Sequence, residues 1–123
     1  MKVLVTGCHG TIGRVLAREL TAHGHDVIAW SRDQAPPDDP AAQARFMTAA
    51  APNVVFHLAV PSRSTGRPHE GRLVNVDWSE QLARLTAERG LPLIFASTVM
   101  VFTDDARGPF TADSVPDAKS GYG

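Results

Sequence analysis

Cysteine and excess charge are nearly absent from this chain of 123 residues, which has one cysteine, Cys8, and a formal net charge of −1. A single cysteine excludes an internal disulfide framework, and a nearly neutral chain without a basic run argues against nucleic-acid and anionic-membrane partners. No apolar run approaches the roughly 20 residues that span a bilayer. Met1 and Lys2 lead directly into VLVTG, which is too short for the core of a secretory signal. These absences predict a cytoplasmic protein.

Short apolar runs alternate with helical spacing along the chain. The runs KVLVTG, DVIAW, NVVFHLAV and LPLIFAS have the composition of buried strands. Between them lie three predicted helices. The first follows Thr11, the second starts with Asp39 as N-cap and Pro40 at the first helical position, and the third lies within VNVDWSEQLARLTAERG. Strands that alternate with helices predict an α/β fold with a doubly wound parallel sheet.

A glycine-rich loop separates the first strand from the first helix. In TGCHGTIG, Gly7 permits a tight turn, Gly10 allows a diphosphate to approach the backbone, and Gly13 allows the helix to pack closely. The first helical turn, with Thr11 and Ile12, presents unpaired N–H groups to an anion. An ordinary strand-to-helix turn is the alternative, but the strand before and the helix after this loop favour dinucleotide binding.

The end of the second predicted strand bears on the identity of the dinucleotide. Ser31 stands where an acid would hold the ribose hydroxyls of NAD, and Arg32 is suited to a bidentate contact with the 2′-phosphate of NADP. Arg14 is a second candidate for that contact. We therefore predict NADP, while Asp33 keeps NAD open as the alternative.

Four motifs in order resemble one known family. The spacing T-G-x-x-G-x-x-G, the strand VVFHLAV with Leu58 and Ala59 at its end, the strand LIFASTVMVF and the final SGYG are similar to extended short-chain dehydrogenase/reductases. This is the NAD-dependent epimerase/dehydratase family, and STVMVF is most similar to its dTDP-4-dehydrorhamnose reductase branch. The resemblance implies a Rossmann-type sheet and an oxidoreductase or epimerase that acts on a nucleotide sugar.

The resemblance also implies a catalytic pair. Thr98 takes the place of the hydroxyl that binds the substrate oxygen, and Tyr122 that of the general acid/base. A phenol has a pKa near 10, and the family lowers it with a lysine four residues later. That position lies past Gly123, and Lys119 precedes the tyrosine. Residues 1–123 are therefore expected to be the N-terminal NAD(P)-binding domain, truncated, without the substrate-binding region and inactive alone.

Several alternatives stay open at this level. The chain could be a non-catalytic module that senses NADP(H), or an unstable fragment whose fourth strand is an unprotected edge. Homodimerisation is open. Cys8 is expected to fill a variable slot rather than act as a redox switch, and the His23 and His25 pair does not predict a metal site. Asn75 could contact substrate or cofactor, or fix its helix to the neighbouring strand. Three arginines are candidates for a substrate diphosphate or for solvated loop residues: Arg63, Arg67 and Arg72.

Overall fold

The structure, a computed structural model, describes residues 1–61, 69–103 and 107–119. In these ranges four parallel strands form one sheet in the order β2-β1-β3-β4. The strands are β1 (Lys2–Thr6), β2 (Asp26–Ala29), β3 (Val54–His57) and β4 (Leu93–Phe95). The predicted α/β fold with a parallel sheet is confirmed, although the fourth strand is shorter than the LPLIFAS run.

The helices connect consecutive strands. They are α1 (Thr11–Ala22), α2 (Pro40–Ala50), α3 (Glu70–Arg72) and α4 (Trp78–Ala87). A π-helical turn, Leu73–Asp77, joins α3 to α4, and a short 3₁₀ turn, Val99–Val101, follows β4. The third helical segment therefore begins before the predicted VNVDW sequence, directly after His69, whose φ of 65° is left-handed. No helix within the described ranges is long and apolar enough to cross a membrane.

The helix ends agree with their sequence signals. The Asp39 carboxylate accepts the N–H of Ala42 at 2.8 Å, and Pro40 occupies the first position of α2. Gly24, directly after the C-cap of α1, has a φ of 75°, a left-handed conformation that glycine adopts without a steric penalty. These caps fix where the connections leave the helices, and so where the loops at the ends of the strands begin.

One apolar cluster joins the sheet to α2 and α4. Leu4 in β1 and Val55 in β3 are paired in register and fully buried, and they belong to the same cluster as Met47 and Leu82. The Trp30 ring packs at 5.0 Å from Phe46 and at 5.7 Å from Trp78, measured between ring centroids. These contacts fix the sheet against the two helices on this face.

β1 lies between β2 and β3. The connection after β1 therefore leads to the strand on one side of it, and the connection after β2 leads to the strand on its other side. In open parallel sheets, ligands bind outside the carboxyl ends of the strands at such a topological switch point. The candidate site is therefore expected where β1 and β3 end.

Candidate functional site

A cleft of about 500 Å³ lies at the carboxyl ends of the strands. It is bounded by the start of α1, the end of β3, the π-helical turn, the start of α4 and the segment after β4. Its lining residues are Ile12, His57, Leu58, Ala59, Val60, Asn75, Val76, Ser79, Phe95, Ala96, Ser97, Thr98 and Val101. The cleft thus brings together four of the predicted site residues, Ile12, Leu58, Ala59 and Thr98.

The glycine loop is pressed against the end of β3. Gly7 has a φ of 67°, and a Cβ atom built on it would lie 2.8 Å from the backbone of both Leu58 and Ala59. A Cβ on Gly13 would collide with the carbonyl oxygen of Gly7. Gly7 and Gly13 are therefore required by the close approach of the loop to β3 and of α1 to the loop.

The N-terminus of α1 is open to an anion. Its N-cap residue, Gly10, has no side chain with which to cap the helix, and no acidic residue lies in the first turn. No described residue accepts a hydrogen bond from the backbone N–H of Thr11, Ile12 or Gly13. Unpaired N–H groups and the positive end of the helix dipole attract phosphate, so these residues fit the pyrophosphate of a dinucleotide.

A buried hydroxyl fastens the end of β1 to the end of β3. Thr6 Oγ1 accepts the backbone N–H groups of Leu58 at 3.1 Å and Ala59 at 3.2 Å. It also lies 2.6 Å from His57 Nδ1. Because the oxygen already accepts twice, its hydrogen is donated to His57 Nδ1, which must therefore be unprotonated. This hydroxyl holds Leu58 and Ala59 beside the glycine loop.

The same histidine reaches α4. With Nδ1 accepting, the proton of the neutral ring is on Nε2, which donates to Ser79 Oγ at 2.9 Å. Ser79 Oγ in turn donates to the carbonyl oxygen of Val74 at 3.4 Å. Burial, and second the positive charge of Arg32, lower the pKa of His57 to about 4, so the ring is neutral at neutral pH.

The π-helical turn presents Asn75 to the cleft. The Asn75 side chain is half-buried, and no described residue is its hydrogen-bond partner. The link between helix and strand, one of the two roles considered for Asn75, is made by Ser79 and His57 instead. π-helical turns inside helices occur often at functional sites. Asn75 therefore remains a candidate for contact with a ligand.

Arg32 reaches across the sheet from the end of β2. Its Nη2 lies 3.5 Å from the carbonyl oxygen of Val60, after β3, and its Nη1 lies 3.5 Å from Glu70 Oε1. The guanidinium carbon is 5.4 Å from the centroid of the Trp78 ring, a cation–π distance. The contact with Glu70 could not be predicted from local sequence patterns, because the two residues are 38 positions apart.

The two neighbours of Arg32 in the sequence differ in their surroundings. The Ser31 hydroxyl accepts the N–H of Gln34 at 3.4 Å, so it is part of the turn that follows β2. Asp33, the residue that kept NAD open, is exposed in that turn. Both residues follow the carboxyl end of β2, where the contacts with the adenosine ribose are predicted from the sequence.

The two predicted catalytic residues have different outcomes. Thr98 is half-buried in the cleft wall, and its Oγ1 accepts the N–H of Met100 at 3.3 Å at the start of the 3₁₀ turn. Tyr122 lies outside the described residues, as do Arg63 and Arg67. The geometry of the proposed pair therefore stays a prediction.

The segment that precedes Tyr122 is tied to the strand end near Thr98. The N–H groups of Asp117 and Ala118 donate to the carbonyl oxygen of Val101 at 3.1 and 3.0 Å. The Asp117 carboxylate accepts the N–H and the hydroxyl of Thr103 at 2.7 and 3.0 Å. Asp117 was not among the residues predicted from the sequence, because nothing near it in the chain indicates its contact with Thr103, 14 positions away. It directs the chain back toward the cleft wall that carries Thr98.

Cys8 is half-buried in the glycine loop. Burial raises the pKa of its thiol, whereas an activated cysteine needs a lowered pKa. This direction favours a residue that fills space in the loop.

Comparisons with protein-family models, curated proteins and solved structures point to the same family. The family model described as the RmlD substrate binding domain matches residues 1–123. The chain is 30% identical over 132 residues to methionine adenosyltransferase 2 subunit beta of Xenopus laevis, covering 99% of this chain and 39% of that protein. It is 33% identical over 113 residues to dTDP-4-dehydrorhamnose reductase of Burkholderia thailandensis, covering 89% and 38%. The chain thus spans about two fifths of the length of these curated relatives.

Solved structures share the fold. A dTDP-4-dehydrorhamnose reductase from Clostridium acetobutylicum superposes with a TM-score of 0.85 at 25% identity, covering 99% of this chain and 45% of that one. WbmG of Bordetella bronchiseptica, solved with NAD and UDP, gives 0.80 at 20% identity, covering 98% and 44%. The dTDP-4-dehydrorhamnose reductase of Bacillus anthracis, solved with NADP, gives 0.72 at 19% identity, covering 85% and 39%.

The Rossmann-like sheet, the glycine loop at its switch point and the family match over residues 1–123 agree with one another. The resemblance to dTDP-4-dehydrorhamnose reductases seen in the sequence is confirmed. The chain therefore belongs to the RmlD substrate-binding-domain family.

Proposed function

We propose that the chain binds a nicotinamide dinucleotide and is the cofactor-binding part of an oxidoreductase or epimerase that acts on a nucleotide sugar. The observation that carries this proposal is the N-terminus of α1, where the N–H groups of Thr11, Ile12 and Gly13 have no acceptor among the described residues. The names of the relatives, which include dTDP-4-dehydrorhamnose reductases, support the class of substrate.

In this proposal the first turn of α1 holds the pyrophosphate, and Gly10 lets it approach the backbone. Leu58 and Ala59 form the facing wall, which the Thr6 hydroxyl keeps in place. The site needs no metal, because backbone N–H groups and the helix dipole supply the positive potential.

The preferred dinucleotide in this proposal is NADP. Arg32 is the cation at the end of β2, and Ser31 adds no charge that would repel a 2′-phosphate. Neighbours with this fold have been solved with NAD and with NADP, so the fold itself accommodates either dinucleotide. The preference therefore rests on the side chains around Arg32.

The bound dinucleotide would supply hydride to a carbonyl carbon of the sugar. The role of this chain is to hold the carbonyl oxygen and to supply its proton. The Thr98 oxygen already accepts a hydrogen bond from Met100, so its hydrogen is available to donate to the substrate oxygen. Tyr122 is the proposed proton donor, assisted by a lysine four positions later in a longer chain.

Titration of the chain with NADPH and NADH, followed by amide resonances, tests dinucleotide binding. We expect NADPH to shift the resonances of residues 7–14, 58 and 59, while those of 40–50 in α2 stay in place as an internal control. NADH is expected to shift the same resonances at higher concentration. Unchanged resonances of residues 7–14 with both dinucleotides in a folded sample would contradict the proposal.

A non-catalytic dinucleotide-binding module is the second candidate. It is favoured by the 30% identity, over 99% of this chain, to a relative named as a subunit beta rather than as a reductase. The sequence of the parent reading frame separates the two candidates. A lysine four places after Tyr122 favours the reductase or epimerase, and any other residue there favours the module.

A further inference from the structure

Glu70 is an acidic residue in an unusually buried position. It is the first residue of α3, and its side chain is 8% exposed. One carboxylate oxygen, Oε1, lies 3.5 Å from Arg32 Nη1, and the other, Oε2, is buried without a hydrogen-bond partner in the described part of the chain. Burial of a carboxylate is costly unless the charge is paired, so this position calls for an explanation.

Arg32 is the ion-pair partner that the described residues offer to Glu70. Its guanidinium also packs over Trp78 and approaches the carbonyl oxygen of Val60. The neighbouring His57 ring is neutral, because its Nδ1 accepts a hydrogen bond from Thr6. The positive charge at the end of β2 is therefore opposed by one buried negative charge.

The pairing of Arg32 with Glu70 affects which dinucleotide this place favours. A 2′-phosphate that approaches Arg32 must also approach the Glu70 carboxylate, and two negative charges in a poorly solvated place repel each other. A ribose hydroxyl, by contrast, carries no charge, so the carboxylate does not repel it. The carboxylate thus penalises a phosphate but not an uncharged ribose.

We propose that Glu70 is the specificity-determining residue that limits the preference of this site for NADP over NAD. The inference rests on the proposed dinucleotide binding. Glu70 comes from α3 rather than from the end of β2, where the acid that selects NAD is usually sought. Neither its position in the sequence nor its neighbours predicted this role.

The test compares dissociation constants of NADPH and NADH for the wild-type chain and for Glu70→Gln. We expect the substitution to tighten NADPH binding about tenfold, because the repelling charge is removed while the side-chain shape is kept. NADH binding is expected to change by less than about twofold, because its adenosine ribose carries no phosphate for the carboxylate to repel. The measured quantity is the ratio of the two constants.

Two further variants serve as a control and as a replacement. Glu80→Gln removes a carboxylate from α4 that is 61% exposed and paired with Arg84, and it should leave the ratio unchanged. Glu70→Met removes the charge with similar side-chain volume and replaces Glu70→Gln if thermal melting shows that the latter is unfolded. It is expected to change the ratio in the same direction.

The outcomes distinguish the two proposals. If the wild-type chain binds both dinucleotides and the ratio stays within about twofold in the folded Glu70 variants, the role of Glu70 is refuted and dinucleotide binding stands. If the wild-type chain binds neither dinucleotide, the proposed function fails, and the role of Glu70 fails with it.

Discussion

The two ends of the cleft differ in how completely they are built. At the end of β1 and β3, the Thr6 hydroxyl and the His57 ring are buried and engaged in hydrogen bonds on both sides. Beyond β4, the apolar side chains of Phe95 and Val99 are 53% and 69% exposed. Both ends lie at the same edge of one sheet, so the contrast does not arise from the type of secondary structure.

The difference matches the two roles proposed for the cleft, which are cofactor binding at one end and chemistry at the other. The residues proposed to hold the pyrophosphate are fixed by contacts within 1–59, including the close approach of Gly7 to Leu58 and Ala59. The residues proposed for chemistry, around Thr98, lie on a surface that the described residues leave largely uncovered. We infer that the side chains around Thr98 are held by fewer contacts among the described residues than those around the glycine loop.

The largest effect is expected for Gly7→Ala. The added Cβ combines a left-handed backbone conformation with a 2.8 Å approach to the β3 end, and should lower the free energy of unfolding by about 4 kcal/mol. Gly90→Ala is the matched control, since Gly90 has a φ of 62° and no atom within 4 Å of its Cβ position. Urea unfolding should show a loss of only about 1 kcal/mol for the control. Equal losses for both variants would show that the close approach is unimportant.

Acid is expected to weaken the β1–β3 junction. The pKa of His57 is about 4 in the folded chain, against 6.5 for an unperturbed histidine. Between these values the unfolded chain binds more protons, so the stabilisation is complete above pH 6.5 and is lost as the pH falls towards 4. The loss from this group is on the order of 3 kcal/mol.

Urea unfolding as a function of pH measures this loss. His57→Gln should flatten the dependence of the unfolding free energy on pH, whereas His23→Gln, at an exposed position after α1, should leave it as in the wild type. The same dependence in wild type and His57→Gln would assign the acid sensitivity to other groups.

Thr6→Val should have a smaller effect than Gly7→Ala. The substitution keeps the shape of the side chain but leaves the N–H groups of Leu58 and Ala59 without this acceptor, and should cost about 2 kcal/mol. Thr21→Val is its control, because Thr21 is exposed on α1 and its hydroxyl donates to the carbonyl oxygen of Ala17 in the same helix. Urea unfolding compares the two, and a loss for Thr6→Val no larger than for Thr21→Val would contradict the role of the hydroxyl.

The smallest effect is expected at β4. Phe95→Thr changes a side chain that is already 53% exposed, so the free energy of unfolding should change by less than about 0.5 kcal/mol. Removal of this apolar surface from an edge strand should also reduce self-association of the chain. Urea unfolding and sedimentation measure the two quantities, and a large loss of stability would show that Phe95 is part of the core.

Local signals in the sequence predicted much of the fold. The strand and helix order, the Asp39 cap and the left-handed Gly24 follow from spacing and residue type within a few positions. The glycine loop was also readable, because its three glycines lie between a strand and a helix. Such features depend on neighbours in the chain, which a single sequence displays directly.

The interactions that complete the site join distant residues. Thr6 and His57 are 51 positions apart, and Arg32 and Glu70 are 38 apart. The register of the parallel sheet pairs Thr6 with His57, and the position of α3 brings Glu70 to Arg32, but a single sequence states neither. The early start of the third helical segment was missed for a related reason, because Glu70 and Gly71 have the composition of a loop.

The π-helical turn at Leu73–Asp77 has an effect on charge placement as well as on shape. Glu70, Val74, Trp78 and Leu82 are all buried and recur every four residues. In a regular α-helix this spacing would rotate each successive residue by about 40°, so the first and the last would face different directions. A wider turn offsets that rotation. The winding of the backbone thus aligns an acid with an aromatic ring, and an insertion or deletion in this turn would rotate Glu70 away from the face of the helix that carries Trp78.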